Sequence, residues 1–300
     1  MPRKIIFFLP FLIGILVAGG GGHHGVNGEE LPLFSVIPFV GILLSIAITP
    51  LVAPHFWHHN FGRIAAFWAI LFIVPFAIKM GFSLAMYEFL HVMLLEYIPF
   101  IILLFSLFTV AGGIRLKGSL VGTPILNTAI LFIGTVLASW MGTTGAAMLL
   151  IRPLIRANKW RHKKVHVIIF FIFLVANIGG SLTPLGDPPL FLGFLHGVSF
   201  FWTTKAMLMP LIITSIILLI VFYILDSFFY NKEKKSQPES RGEKLALEGT
   251  FNFLLLLGVV GSVLLSGFWH PHIYFDVFSV HVELQNIVRD FLLLAISGIS

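Results

Sequence analysis

The sequence predicts an all-α polytopic membrane protein, a helix bundle that contains a re-entrant hairpin and a discontinuous helix. Three observations carry this. Of 300 residues, 58% are hydrophobic and 11% charged, with a mean hydropathy of +0.99, a composition that no soluble globular chain has. Apolar runs recur along the whole length without the strict alternation of a membrane barrel. The stretch 177–191, NIGGSLTPLGDPPLF, sets glycines, prolines, hydroxyls and the carboxylate of Asp187 between two apolar segments. Gly179-Gly180 weakens helix there, and Pro184, Pro188 and Pro189 remove donors and clash with the preceding turn. Broken backbone at membrane depth is tolerated only where it is buried in protein or lines a wet cavity. An acid beside such a break therefore marks a candidate ion or substrate site.

The elements follow in order. Arg3-Lys4, the apolar run 5–17 and Ala18-Gly19-Gly20 make residues 1–22 either a secretory signal peptide or a first transmembrane span. Apolar spans are expected at 33–52, 64–78, 97–114, 165–180, 206–225 and 251–268. The mixed segment 81–96 reads as a helix at the outer interface, and 226–250 as a cytoplasmic linker. The formal charge of +6 sits mainly in short loops, which is an orientation signal and not a nucleic-acid footprint. Arg63, Arg115 with Lys117, the cluster 152–164 and the loop 232–244 then face the cytoplasm.

The segment 124–151 is apolar but has basic loops at both ends. Its 28 positions are too few for two crossings, which need about 40 residues. A re-entrant hairpin with two arms of about 14 residues, each about 21 Å long, resolves the conflict. The tip then falls near Ser139, Gly142, Thr143 and Thr144, where hydroxyls and freed carbonyls suit a small cation. One ordinary crossing with a long interfacial tail is the alternative. The segment 165–202 is too long for one straight helix and reads as two half-helices joined at 182–189. Tip and break would meet at similar depth, with half-helix dipoles pointing inward. Asp187 can equally cap a half-helix N-terminus.

Other features fit ordinary roles. With no cysteine, the chain can form no disulfide or thiolate metal site. His55, His58 and His59 read as an interfacial loop before they read as a metal site. The run 152–164 reads as a topology determinant against anionic lipid. No nucleophile–base pattern or phosphate loop points to an enzyme.

The pattern N-I-G-G-x-x-T-P-x-G-D-P-P over residues 177–189 resembles the ion-transporter superfamily, and is most similar to NhaD-type sodium:proton antiporters and citrate-transporter-like proteins. The resemblance covers 33 to the end and implies two inverted repeats, each with a hairpin and a broken helix. The chain would then be half of an inverted-repeat transporter: a first repeat at 33–225, and at 251–300 an incomplete start of the second. By that resemblance Ser139, Thr143 and Thr144, with Gly142, match hairpin-tip positions. Asn177, Thr183 and Asp187, with Ser181 and Gly186 between them, match the broken-helix site. Leu190 stands where many relatives carry an asparagine. The expected activity is secondary transport, with sodium:proton exchange first and sodium-coupled citrate, another organic anion or arsenite second. A truncated, inactive membrane remnant is a third reading. The expected partners are the lipid bilayer, small ions or an organic anion, and a second chain or homodimer that supplies the missing repeat. No cofactor is called for beyond the transported sodium ion and proton, and the expected location is a bacterial inner membrane.

Overall fold

The structure is a computed structural model that describes residues 26, 31–233 and 246–300. The segment 1–22, with its signal-peptide or first-span reading, lies outside the described residues. The fold is an all-α polytopic one. Among the described residues, seven helical segments are long and apolar enough to cross a membrane, as expected where lipid offers no partner for backbone N–H and C=O groups. Contacts group the chain into two compact units, Met1–Leu94 with Phe275–Val282, and Leu95–Tyr274 with Glu283–Ser300.

In the first unit a 3-10 turn (Leu33–Val36) leads into α1 (Ile37–Val52), and α2 spans Pro54–Met80. Gly41 lets the Trp68 ring approach so closely that a Cβ there would lie 2.3 Å from it. Trp68 Nε1 also donates to Ser45 Oγ at 3.1 Å. The other faces of α1 and α2 expose Phe39, Leu44 and Ile70, side chains suited to lipid. His55, His58 and His59 lie in the opening turns of α2, not in a loop, because Pro54 starts the helix where its missing N–H costs nothing. No group of three metal-ligating side chains forms among the described residues.

Residues 81–96 do not form a separate interfacial helix. The backbone runs from α3 (Phe82–Val92) through a π turn (Met93–Tyr97) into α4 (Ile98–Gly112), one helical candidate span. Pro99 offers no N–H to the carbonyl four residues earlier, and the π turn falls at that gap.

The second unit holds the large core, built on Leu107, Val110, Leu131, Leu154, Leu174, Phe191 and Val259. Strand β1 (Arg115–Lys117) precedes α5 (Pro124–Ala157), which Thr123 caps through its side chain. Helix α5 is not one rod. Gly142 sits at φ 78°, ψ 151°, a conformation side chains with a Cβ rarely adopt. A straight helix would hold Asn127 and Asn158 about 46 Å apart; instead their side chains hydrogen-bond at 3.0 and 2.7 Å. Gly134 likewise lies against Leu150. The arms 124–141 and 143–157 thus fold back on each other, and the second continues to Ala157, past the expected end at 151.

Next come α6 (Val165–Leu174), a 3-10 turn (Ile178–Leu182) and α7 (Pro188–Leu195). The helix break therefore covers 175–187 and begins earlier than the expected 182–189. Helix α8 (Trp202–Asn231) runs past 226, so the linker read at 226–250 starts only after the helix ends. Strand β2 (Ala246–Glu248) pairs antiparallel with β1, placing Arg115 opposite Glu248. Helix α9 (Phe251–Phe268), a hairpin of β3 (Tyr274–Val277) and β4 (Val280–Glu283), and α10 (Leu284–Ile299) complete the described chain.

Candidate functional site

The tip of the α5 hairpin and the broken segment after α6 interlock. The Thr143 N–H donates to Gly186 O at 3.0 Å, Ser139 Oγ donates to Gly179 O, and Thr183 Oγ1 donates to Ser139 O. Thr183 Oγ1 in turn accepts from the Leu185 N–H at 3.3 Å. Thr203 and Thr204, at the start of α8, both donate to Leu182 O, at 3.0 and 2.6 Å. Backbone groups freed by two helix breaks thereby find partners in each other, as buried peptide groups must. The loop closes only because its ends lack side chains: a Cβ on Gly186 would lie 2.0 Å from Gly180 O.

Beside this junction lies a cleft of about 350 Å³. Gly142, Thr143, Thr144, Gly186 and Asp187 line it on one side, and Phe100, Leu104 and Phe108 of α4 on the other. Asp187 holds the N-cap position of α7 but makes no side-chain cap bond. The reason is local. A capping oxygen accepts from the second or third N–H of a helix; Pro189 has none, and the Leu190 N–H already donates to Asp187 O at 3.0 Å. Among the described residues the carboxylate has no hydrogen-bond or ion-pair partner, and it is the one charged group on the cleft wall. Two half-helices, the arm 143–157 and α7, begin at this wall, so their positive dipole ends face the carboxylate.

The predicted residues therefore divide three ways. Gly142, Thr143, Thr144, Gly186 and Asp187 meet at the cleft. Ser139 and Thr183 are buried behind it, with their hydroxyl protons committed to carbonyls. Asn177 and Ser181 do not line the cleft: Asn177 is exposed, and its amide reaches only Ile172 O at 3.4 Å.

A second polar cluster lies at the base of the hairpin, about 22 Å from the tip along the arm. A second carboxylate also lies inside an apolar run. Asp226, near the end of α8, is fully buried and ion-paired with Arg161 at 2.6 Å, both side chains 0% exposed. Its oxygens also meet His166 Nε2 at 2.6 Å and Asn127 Nδ2 at 2.9 Å, while Arg161 Nη1 donates to Asn158 Oδ1 at 3.2 Å. Arg161 thus leaves the lipid-facing role read for the run 152–164 and becomes a buried partner. Its neighbours His162 and Lys163 donate backbone N–H groups to Glu233. Slight burial pushes the Glu233 carboxyl up, but those N–H groups and the Arg161 and His162 charges outweigh it and hold the carboxyl below the usual glutamate range. The only sequence signal for this cluster is one acid in the apolar run of α8, whose partners are 60 to 99 positions away.

A family model described as "putative citrate transport" matches residues 28–300, nearly the whole chain. Neither a curated protein nor a solved structure matches it. The chain belongs to that citrate-transport family: it is an integral membrane protein of the secondary-transporter class.

Proposed function

We propose that this citrate-transport family member exchanges sodium ions for protons at the cleft between the hairpin tip and the helix break. The observation that carries the reading is the Asp187 carboxylate, which has no partner among the described residues on a wall otherwise built of apolar side chains, threonines and glycines. A carboxylate without a resident partner can take up a proton or a cation in turn, and the Thr143 and Thr144 hydroxyls supply neutral oxygens beside it. Among the described residues no lysine, arginine or histidine lines the cleft, which disfavours a free polycarboxylate anion there, because a lone carboxylate repels it and no cation beside it neutralises it. Alternating exposure of the site would then exchange one ion for the other, driven by their gradients.

The family description favours a second reading, sodium-coupled citrate carriage, in which the cation bound at Asp187 accompanies the anion. Proteoliposomes containing the full chain and an internal pH dye separate the two. Sodium or lithium added without citrate should shift internal pH under the first reading, whereas a sodium dependence confined to citrate uptake belongs to the second. Under either reading Asp187→Asn should abolish transport and leave insertion intact. Since asparagine is a good N-cap, wild-type transport in this variant would overturn the role given to Asp187.

A further inference from the structure

The groove between β1, the end of α4 and the second hairpin arm is lined by four cations, Arg115, Lys117, Arg152 and Arg156, and, among the described residues, by no acid. We propose that it is a binding site for an anionic phospholipid, which places its phosphate between Arg115 and Arg152 and lays an acyl chain against Met148 and Ile155.

Three observations point to an amphipathic anion. The first is charge. Lys117 pairs with Glu248 at 2.6 Å, and Arg156 Nη2 donates to the Leu116 carbonyl at 3.3 Å. Arg115 and Arg152 have no hydrogen-bond or ion-pair partner among the described residues. Among the described residues, four cations face one nearby carboxylate, so the groove they form is positive. Guanidinium forks fit phosphate oxygens in pairs, which a lysine cannot do.

The second is shape and polarity. The groove is large, about 910 Å³, and much of its lining is apolar. Met148 and Ile155 are 37% and 49% exposed on the same arm that carries Arg152 and Arg156. A free inorganic anion uses the cations and leaves this apolar wall wet, whereas a phospholipid covers both.

The third is depth. The candidate span Phe82–Gly112 ends just before Arg115, and the arm 143–157 carries its arginines only in its last turns. The cations therefore lie where hydrocarbon gives way to headgroups, on the face the basic loops assign to the cytoplasm. Basic pockets between helices at that depth suit acidic headgroups.

The test is lipid retention and exchange on the purified full chain, read by native mass spectrometry in neutral detergent with phosphatidylglycerol or phosphatidylcholine added. The expected result is a saturable phosphatidylglycerol adduct that phosphatidylcholine does not give. Arg115→Gln with Arg152→Gln should weaken that adduct at least about tenfold, roughly one decade per 1.4 kcal/mol lost. Arg115→Lys with Arg152→Lys keeps charge and topology but loses the forks, and should fall between. Lys159→Gln with Lys163→Gln removes the same charge outside the groove and should leave the adduct intact. An equal loss in that control would mean diffuse surface attraction and overturn the proposal. So would displacement of the lipid by millimolar inorganic phosphate, which would mean a site for the free anion, or an unchanged adduct in the Arg115/Arg152 variants. Size-exclusion profiles of each variant show that the fold survives; if the Gln pair misfolds, the Lys pair alone decides.

Discussion

Asp226→Asn tests whether the buried polar cluster fastens the base of the hairpin to α6 and α8. The change keeps side-chain shape but removes the charge that Arg161 faces at 2.6 Å, with both side chains 0% exposed. A guanidinium left without its counter-charge in a dry site costs about 3–5 kcal/mol. His166, at 2.6 Å from the same carboxylate oxygen, weakens its own hydrogen bond as well, worth about 1 kcal/mol. For a chain of this size each kcal/mol moves Tm by about 2–4 °C, so the variant should melt on the order of 10 °C below the wild type. The pair Lys117–Glu248 is a built-in comparison: its side chains are 62% and 46% exposed, and Glu248→Gln should cost no more than about 1 kcal/mol. Adding Arg161→Met to Asp226→Asn removes the stranded charge and should recover much of the loss, because the penalty comes from the unpaired ion and not from the missing attraction alone. The measurement is thermal unfolding in detergent, followed by the size-exclusion peak remaining after heating. A fall under about 2 °C for Asp226→Asn, or a double variant as unstable as the two single losses added, would refute the reasoning.

Gly186→Ala should reduce transport by at least about a hundredfold while the chain still inserts, because a Cβ 2.0 Å from Gly180 O forces the loop carrying Asp187 to move and displacements near 1 Å at a working site cost about that much; sodium-driven dye shifts in proteoliposomes give the value, and activity near wild type would show that the Gly180–Gly186 contact is not needed. Cysteines at Lys117 and Lys159, both exposed at the hairpin's base, should react with an impermeant maleimide from the same, cytoplasmic face, and labelling from opposite faces would contradict a re-entrant hairpin.

The spans that the sequence marks most clearly are uniform ones. The segments 33–52 and 251–268 coincide with the helical limits, since an apolar run bounded by polar or proline residues has only one way to satisfy its backbone in lipid. Boundaries drift where helix continues through residues that look like loop. Helix α2 starts at Pro54 and takes in three histidines and Arg63, and α8 continues through Asp226 to Asn231. The motif identifies the broken segment but not which way its side chains turn. In regular helix a residue's face follows from its position. In the irregular backbone at 175–187 that rule lapses, which is why Asn177 points away from the cleft while Thr183 turns inward to a carbonyl of the hairpin.

The two polar clusters of the second unit differ in a way that bears on what each does. At the hairpin's base nearly every polar group is matched: Asp226 meets Arg161, His166 and Asn127, and the two asparagines meet each other. A matched, dry cluster resists rearrangement, because any displacement strands a charge. At the tip the backbone is equally well matched, through Thr143 with Gly186, Ser139 with Gly179 and Thr183 with Ser139, yet Asp187 is left over. The prolines that break the helix also help leave it over, since Pro189 takes away the second N–H of α7 and the third, on Leu190, is already given to the Asp187 carbonyl. A double proline directly after an acid thus does two jobs at once: it ends the regular backbone, and it leaves the acid's side chain without a cap bond.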